Sequence, residues 1–369
     1  MFKYNKKYDT SFRNQPSFYC CPWIQHGLVF FRYKLAHCCY CGHVGGGHSL
    51  IQDDYDGKPI NWDHLFKQKR EYVRLYRKAF ISENCADCPF LEERYCKDWD
   101  LDWHHQYIDR IYISHWIDCN CKCIYCYAAQ NPEEFNYNKK NYSVLPIIKE
   151  MLEKNILRRG GSIHFGGGEP TILPEFEDII QLLLDYKFYD IRIHTSGIKY
   201  SSVLERGIRE GRVRIVISVD AGTPETYQKI KQVPLYHLVR ENAKKYAKAL
   251  DGRLIALTPD FYYQSQFCVN TKFIIIPGIN DTEEEVENWI KADVEAGIQT
   301  SVIDLEENWF KEHEFNLPQS IFDFIYKIKQ LSDKYGTHFE LYERVSNMLK
   351  ENPDKAPWFA EQNKALPTE

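Results

Sequence analysis

From residue 109 onward, short β-branched runs alternate with amphipathic stretches of helical period. The runs at 110–117, 162–166, 190–195, 213–219, 270–276 and 299–305 read as strands. The stretches near 143–157, 174–186, 199–210, 236–250, 282–296 and 319–335 read as helices. Six such β/α units predict an α/β fold with parallel strands. Polarity alternates within the strands. Ile191 and Ile193 share one face, and Arg192, His194 and Ser196 share the other. Val213, Ile215, Ile217 and Val219 lie opposite Arg214, Val216, Ser218 and Asp220, while Asp304 and Glu306 lie opposite Ile303 and Leu305. The face covered by helices must be apolar, so the polar set lines the interior. A polar lumen is a binding cavity, and its chemistry belongs where strands end and βα loops begin.

The first 108 residues follow another pattern. They hold eight of the thirteen cysteines and little helical period before Asn61. Cys20 and Cys21 lead into LVFFRYKL, which reads as one strand and ends at Cys38, Cys39 and Cys41. Residues 61–80 read as an amphipathic helix with Trp62, Leu65, Phe66, Tyr72, Val73, Tyr76 and Phe80 apolar. The chain then reaches Cys85-x2-Cys88, with Cys96 further on. Residues 251–268 read as an insertion between a helix and the next strand, with Cys268 as a core residue. The last twenty residues, with Pro353, Pro357 and Pro367, read as a loose tail or strap.

Composition narrows the function classes. At 369 residues there is room for one large domain and a small one. Hydrophobic content of 44% and charged content of 27% are those of a globular protein. A net charge of −5, with no basic run, argues against a nucleic-acid partner. The polar start MFKYNKKYDT is no secretory signal, and no apolar stretch approaches a membrane span, so no membrane partner is expected. An odd number of cysteines, several adjacent, suits metal ligation better than disulfides and points to a reducing cytoplasm. The 26 tyrosines have core packing as the plain explanation and a groove for a peptide or sugar as the sharper one.

The chemistry gathers after the first barrel strand. Residues 119–127 read CNCKCIYCY, so Cys119, Cys123 and Cys126 form C-x3-C-x2-C with Tyr125 before the last cysteine. Three thiolates on one loop can each take an iron of a cubic cluster and leave the fourth iron open. Zinc is the alternative for a cysteine cluster. Cys121 reads as a bystander. The second strand ends in HFGGGEPTILPEF, where Gly166, Gly167 and Gly168 permit close approach to the backbone and Glu169 and Pro170 begin a turn. A tight βα turn alone would also use such glycines. Together, and in this order, the cysteine motif and GGGEP resemble the radical S-adenosylmethionine (SAM) enzymes.

That resemblance implies a partial (β/α)6 TIM-like barrel and a [4Fe–4S] cluster on Cys119, Cys123 and Cys126, with SAM chelating the open iron. One electron would split SAM into methionine and a 5′-deoxyadenosyl radical, which abstracts hydrogen from a substrate. Gly166, Gly167, Gly168, Glu169, Pro170 and Tyr125 would hold SAM, and Ser196 and Ser218 would meet its ribose or carboxylate. Ile276 would pack on the adenine opposite Tyr125. Asp220, Asp304 and Glu306 are candidates for the substrate, with internal pairing to Arg192 and Arg214 as the alternative. An electron donor such as flavodoxin or ferredoxin is the implied partner.

The N-terminal order of cysteine, strand, cysteine pair, helix and C-x2-C resembles the SPASM or twitch auxiliary-cluster domains. In many radical SAM enzymes those follow the barrel; here the cysteines precede it. The resemblance implies a second [4Fe–4S] cluster on Cys21, Cys38, Cys85 and Cys88, with Cys20, Cys39, Cys41 and Cys96 as substitutes. His37, His43 and His48 crowd the same segment and make zinc the alternative. The expected organisation is a small cysteine-rich metal-binding domain at 1–108, the barrel at 109–340 and a tail at 341–369. A peptide or protein side chain is the leading substrate, and a sugar, nucleotide or other small metabolite is the second. A non-catalytic zinc-stabilised scaffold is the reading from a different class.

Overall fold

The computed structural model describes residues 2–11, 16–38, 50–52, 54–86, 88, 91–99, 106–130, 141–253, 267–313 and 316–364. Cys39, Cys41, His43 and His48, most of the insertion, and Pro367 lie outside the described residues. Contacts gather the chain into two compact units. One comprises Met1–Ile117, Asn136–Gly168 and Leu173–Ile191; the other comprises Asp118–Phe135, Glu169–Ile172 and Arg192–Glu369.

The first unit holds β1 (Phe2–Tyr4), β2 (Ser17–Cys20), β3 (Gly27–Phe31), β4 (Lys34–Ala36), β5 (Leu50–Gln52), β6 (Phe80–Ser82), β7 (Glu92–Tyr95), β8 (Ile108–Ser114) and β9 (Leu157–Phe165). Its main sheet runs β9–β8–β3–β4–β5. β3 and β9 flank β8 in parallel, whereas β4 and β5 continue antiparallel. The register sets Gly27 against Arg110 and Phe31 against Ser114. Leu28, Val29 and Phe30 are fully buried, as a continuous apolar run in a parallel pair should be. LVFFRYKL is not one strand. It breaks at Arg32–Tyr33 into a hairpin whose turn lacks the Gly or Asn that usually marks one. The helix Trp62–Tyr76 starts where the Asn61 side chain accepts a hydrogen bond from the His64 N–H (3.0 Å).

The second unit holds β10 (Asp190–Thr195) from Arg192 onward, then β11 (Val213–Ser218), β12 (Val269–Ile275), β13 (Thr300–Leu305) and β14 (His338–Leu341). The last four pair in parallel in that order. β12 alternates between two faces. Thr271 accepts from the Trp289 indole (3.1 Å) and Phe273 packs on the same ring, so these two face the helix Glu283–Ala296. Asn270, Lys272 and Ile274 occupy the opposite face. That helix is capped by Thr282 and carries Glu283, Glu284 and Glu285 in its first turn, where the backbone dipole favours acids.

Two features of the C-terminal part differ from the sequence reading. β14 is an additional strand; HFEL contains no β-branched residue to mark it. The expected loose tail is helical at Glu343–Glu351 and Pro357–Lys364, with Val345, Met348 and Leu349 buried. Pro357 opens the last helix at the position where a proline's missing N–H costs nothing. Among the described residues, no helix is long and apolar enough to cross a membrane.

Candidate active site

The cysteine loop lies in the second unit and has no strand of its own. Tertiary hydrogen bonds give it shape: Lys122 N–H donates to the Lys231 carbonyl (3.1 Å) and Ile124 N–H to that of Ile230 (3.0 Å). These acceptors end the helix Pro224–Lys231, so the loop satisfies carbonyls that a helix terminus leaves open. Cys119 is exposed, Cys123 and Cys126 are half-buried, and Cys121 is buried. The Cys121 thiol is hydrogen-bonded to both Cys119 and Cys123, which pushes its own pKa far up. The same bond holds Cys119 below the ordinary thiol range. Cys123 is lowered to about 6 by Cys121 and then by Lys231, against its burial. Three thiols, two of them held toward thiolate, form a donor set that fits iron–sulfur ligation. Among the described residues, no three His, Cys, Asp or Glu side chains converge as ligands of one ion do. A cubic cluster does not require that, since each thiolate takes its own iron.

Tyr125 is tied to a buried ion pair. Its hydroxyl donates to Asp220 Oδ2 (2.5 Å) and accepts from Lys231 Nζ (2.7 Å), while Lys231 also pairs with Asp220. Asp220 is fully buried in the left-handed region (φ +60°), and its Oδ1 accepts from Ile274 N–H (2.8 Å). Asn280 donates to the Asp220 carbonyl (2.9 Å) and holds the start of the turn after β12. The Tyr125 ring packs on the cluster of Ile230, Ile274 and Ile276, so Tyr125 and Ile276 come together in one apolar patch. Glu169, also buried, accepts four hydrogen bonds, from Thr171 N–H and Oγ1, Thr195 Oγ1 and Ser196 N–H. Ser196 Oγ in turn donates to Asn120 Oδ1 (2.9 Å) beside Cys119. Pro170 is buried at the start of the turn Pro170–Ile172.

The three glycines belong to the first unit. Gly166 N–H donates to the Ile113 carbonyl (3.0 Å) and Gly168 N–H to that of Trp116 (2.7 Å). Gly167 has φ +86°, and a Cβ there would sit 2.5 Å from the Trp116 carbonyl. A Cβ on Gly166 would collide with the Tyr112 hydroxyl. The chain's own close packing therefore already requires glycine at both positions.

The remaining candidates have their own partners. Asp220 pairs with Lys231 and Asp304 with Arg344 (3.4 Å), rather than with Arg192 or Arg214. Burial pushes the Asp304 carboxyl up. Glu306 accepts from Asn308 N–H (3.1 Å) and Trp309 N–H (2.6 Å), capping the helix Glu307–His313. Ser218 ends β11, half-buried. Lys231 and Asn280 were not singled out in sequence; a lysine in a helix's last turn reads as ordinary dipole compensation.

The described N-terminal cysteines all lie within the first unit. Cys20 ends β2, Cys21 caps the helix Pro22–His26, Cys38 follows β4, and Cys85 ends the turn Glu83–Cys85. All four are buried, and Cys88 and Cys96 are half-buried. Burial first, then the fields of Cys38, Cys20 and Cys88, pushes Cys21 well above the thiol range. Cys20 is pushed up to about 12, again by burial, with Cys85 adding to it. Cys20, Cys21, Cys38, Cys85 and Cys88 thus act on one another electrostatically, but among the described residues no three of them converge as ligands of one ion do.

Residues 113–292, just under half of the chain, match the Radical SAM superfamily model. A probable GTP 3',8-cyclase from Methanococcus maripaludis is 30% identical over 112 residues, 30% of this chain and 36% of its own. GTP 3',8-cyclase from Petrotoga mobilis is 24% identical over 210 residues, 55% of this chain and 58% of its own. The chain therefore spans between 36% and 58% of the length of these two relatives. Among solved structures, Streptococcus suis SuiB bound to S-adenosylmethionine has a TM-score of 0.50 at 13% identity, over 80% of this chain and 59% of that one. That likeness is one of fold, an α/β partial TIM-like barrel. Residues 113–292, which include the cysteine loop and the glycine turn, are thus similar to the Radical SAM superfamily.

Proposed function

We propose that this chain is an enzyme that holds its cluster on Cys119, Cys123 and Cys126 and cleaves SAM reductively. The observation that carries the reading is the loop, with two thiols held toward thiolate and its backbone tied to the end of the helix Pro224–Lys231. When bound, cluster and SAM would supply the electron and the 5′-deoxyadenosyl radical for hydrogen abstraction. The protein's part is positioning. Cys121 keeps its proton and bridges Cys119 and Cys123. Asp220 and Lys231 fix the Tyr125 hydroxyl and hence its ring. Glu169 ties the turn after the glycines to the end of β10. Gly166–Gly168, Pro170, Ser196, Ser218 and Ile276 complete the proposed SAM contacts. Asp304, whose carboxyl burial pushes up, and Glu306 are the proposed acids toward the substrate. A flavodoxin or ferredoxin would deliver the electron.

Relatives matched over the core are named for GTP, which favours a nucleotide substrate. The buried N-terminal cysteines, proposed as an auxiliary centre on Cys21, Cys38, Cys85 and Cys88, favour a peptide or protein side chain through their resemblance to SPASM and twitch domains. Reconstituted, reduced protein should release 5′-deoxyadenosine and methionine from SAM. A brown, iron-loaded protein that releases neither rejects the proposal. Deuterium passing from ribose-labelled GTP into 5′-deoxyadenosine selects the nucleotide; transfer only from labelled peptide selects the peptide.

A further inference from the structure

Lys272 stands on the β12 face that carries Ile274, opposite Thr271 and Phe273, which turn toward the helix Glu283–Ala296. Ile274 belongs to the apolar patch on which the Tyr125 ring packs, so this face leads from Lys272 to the cysteine loop. In register, Lys272 lies between Ser218 of β11 and Val302 of β13. One is a hydroxyl and the other apolar, and neither carries charge. The Lys272 Nζ lies 5.5 Å from the centre of the Tyr342 ring, which the His194 ring meets edge-on at 6.4 Å. All these residues belong to the second unit.

The neighbouring acids are already matched. Asp220 pairs with Lys231, and Asp304 pairs with Arg344. Lys272 is half-buried, and among the described residues its ammonium makes no hydrogen bond or ion pair. Lys231, buried in the same unit, has both a carboxylate and the Tyr125 hydroxyl. An aromatic face steadies a cation without neutralising it, and leaves the ammonium protons to be donated elsewhere. An ammonium drawn out of water is costly unless an anion shares its surroundings. Burial holds the Lys272 pKa below the ordinary lysine range, against the fields of Asp220 and Asp304.

We propose that Lys272 receives an anionic group of the substrate, a carboxylate or a phosphate, beside the ring of Tyr342. The proposal rests on the enzyme reading above, with the polar strand face as its substrate cavity, and names the charge that cavity recognises. A neutral sugar or an uncharged peptide side chain would leave the ammonium without a counter-ion. A nucleotide would bring a phosphate to it, and an acidic peptide a carboxylate.

The test uses the full chain with its loop cluster reconstituted, as the native protein, Lys272→Met and Lys272→Arg. Melting temperature and calorimetric affinity are read with GTP against guanosine, with end-capped Gly-Glu-Gly against Gly-Gln-Gly, and with SAM. The native protein should bind one anionic probe about tenfold or more tighter than its neutral counterpart. Preference for GTP identifies phosphate as the source, and preference for the glutamate peptide identifies carboxylate. Lys272→Met should lose that preference and Lys272→Arg should keep most of it. Without a probe, Lys272→Met should melt no lower than the native protein, because the ammonium has no partner to lose. No preference in the native protein, or the same preference in Lys272→Met, overturns the proposal. A loss of SAM affinity alone in Lys272→Met assigns the lysine to the cofactor and also overturns it. Failure of Lys272→Met to fold, or a lower melting temperature without a probe, makes Lys272 structural and overturns it as well. Anion binding through Lys272 in a protein that releases no 5′-deoxyadenosine rejects the SAM reading and leaves the anion site standing.

Discussion

Cys119, Cys123 and Cys126 stand on a loop without regular structure and are exposed or half-buried, whereas Cys20, Cys21, Cys38 and Cys85 lie at or beside the ends of regular elements and are buried. At Cys123 and Cys20 the environments act on a thiol in opposite directions, whereas burial raises Cys126 on the loop as well. A neighbouring thiol and the Lys231 ammonium lower Cys123 to about 6, while burial raises Cys20 to about 12. An accessible loop with thiolate character suits a cluster that must also receive an exchangeable cofactor. Burial that raises Cys20 and Cys21 keeps them in the neutral thiol form, which is neither a nucleophile nor a metal ligand until it is deprotonated.

The comparison breaks most completely if the loop cysteines are dispensable. Replacing Cys119, Cys123 and Cys126 by Ala should remove about four irons per chain and bring SAM cleavage to background. Cleavage at the native rate in that variant would transfer the chemistry elsewhere. Next in size is Lys231→Met, which leaves the buried Asp220 carboxylate unpaired and should cost about 3–5 kcal/mol in denaturant unfolding. Adding Asp220→Asn should recover most of that loss; additive losses would show that the pair is not coupled.

Gly167→Val should cost about 1–3 kcal/mol, because a branched residue at φ +86° meets the Trp116 carbonyl. Iron content should survive while SAM affinity falls by calorimetry, and unchanged affinity would remove the turn from the SAM site. The smallest perturbation sharpens the contrast itself. In metal-free protein, iodoacetamide labelling of Cys123 should rise as pH passes about 6, since the thiolate is the form above its lowered pKa. Cys20 should resist until pH approaches about 12. Mass spectrometry finding equal labelling at neutral pH would erase the difference between the two regions.

The β/α succession, the polar face of each strand and the cysteine and glycine motifs were legible in sequence, because periodicity and covalent spacing are local properties of a chain. Those local signals carried the resemblance to the radical SAM family and to its cofactors. They did not reveal that β3 lies parallel to β8, nor that HFEL forms another strand, since pairing between distant segments depends on register that neither segment carries alone. The partners of the buried charges were equally hidden. Asp220 meets Lys231, Asp304 meets Arg344, and Glu306 caps a helix, although Arg192 and Arg214 were the visible cations of the same faces. Lys69 sits three residues beyond Phe66 and four before Val73, squarely on the apolar stripe, yet a lysine in a helix ordinarily reaches water. Whether such a charge is solvated or buried depends on what the tertiary fold packs over it, because desolvation is set by surrounding atoms and not by chain neighbours.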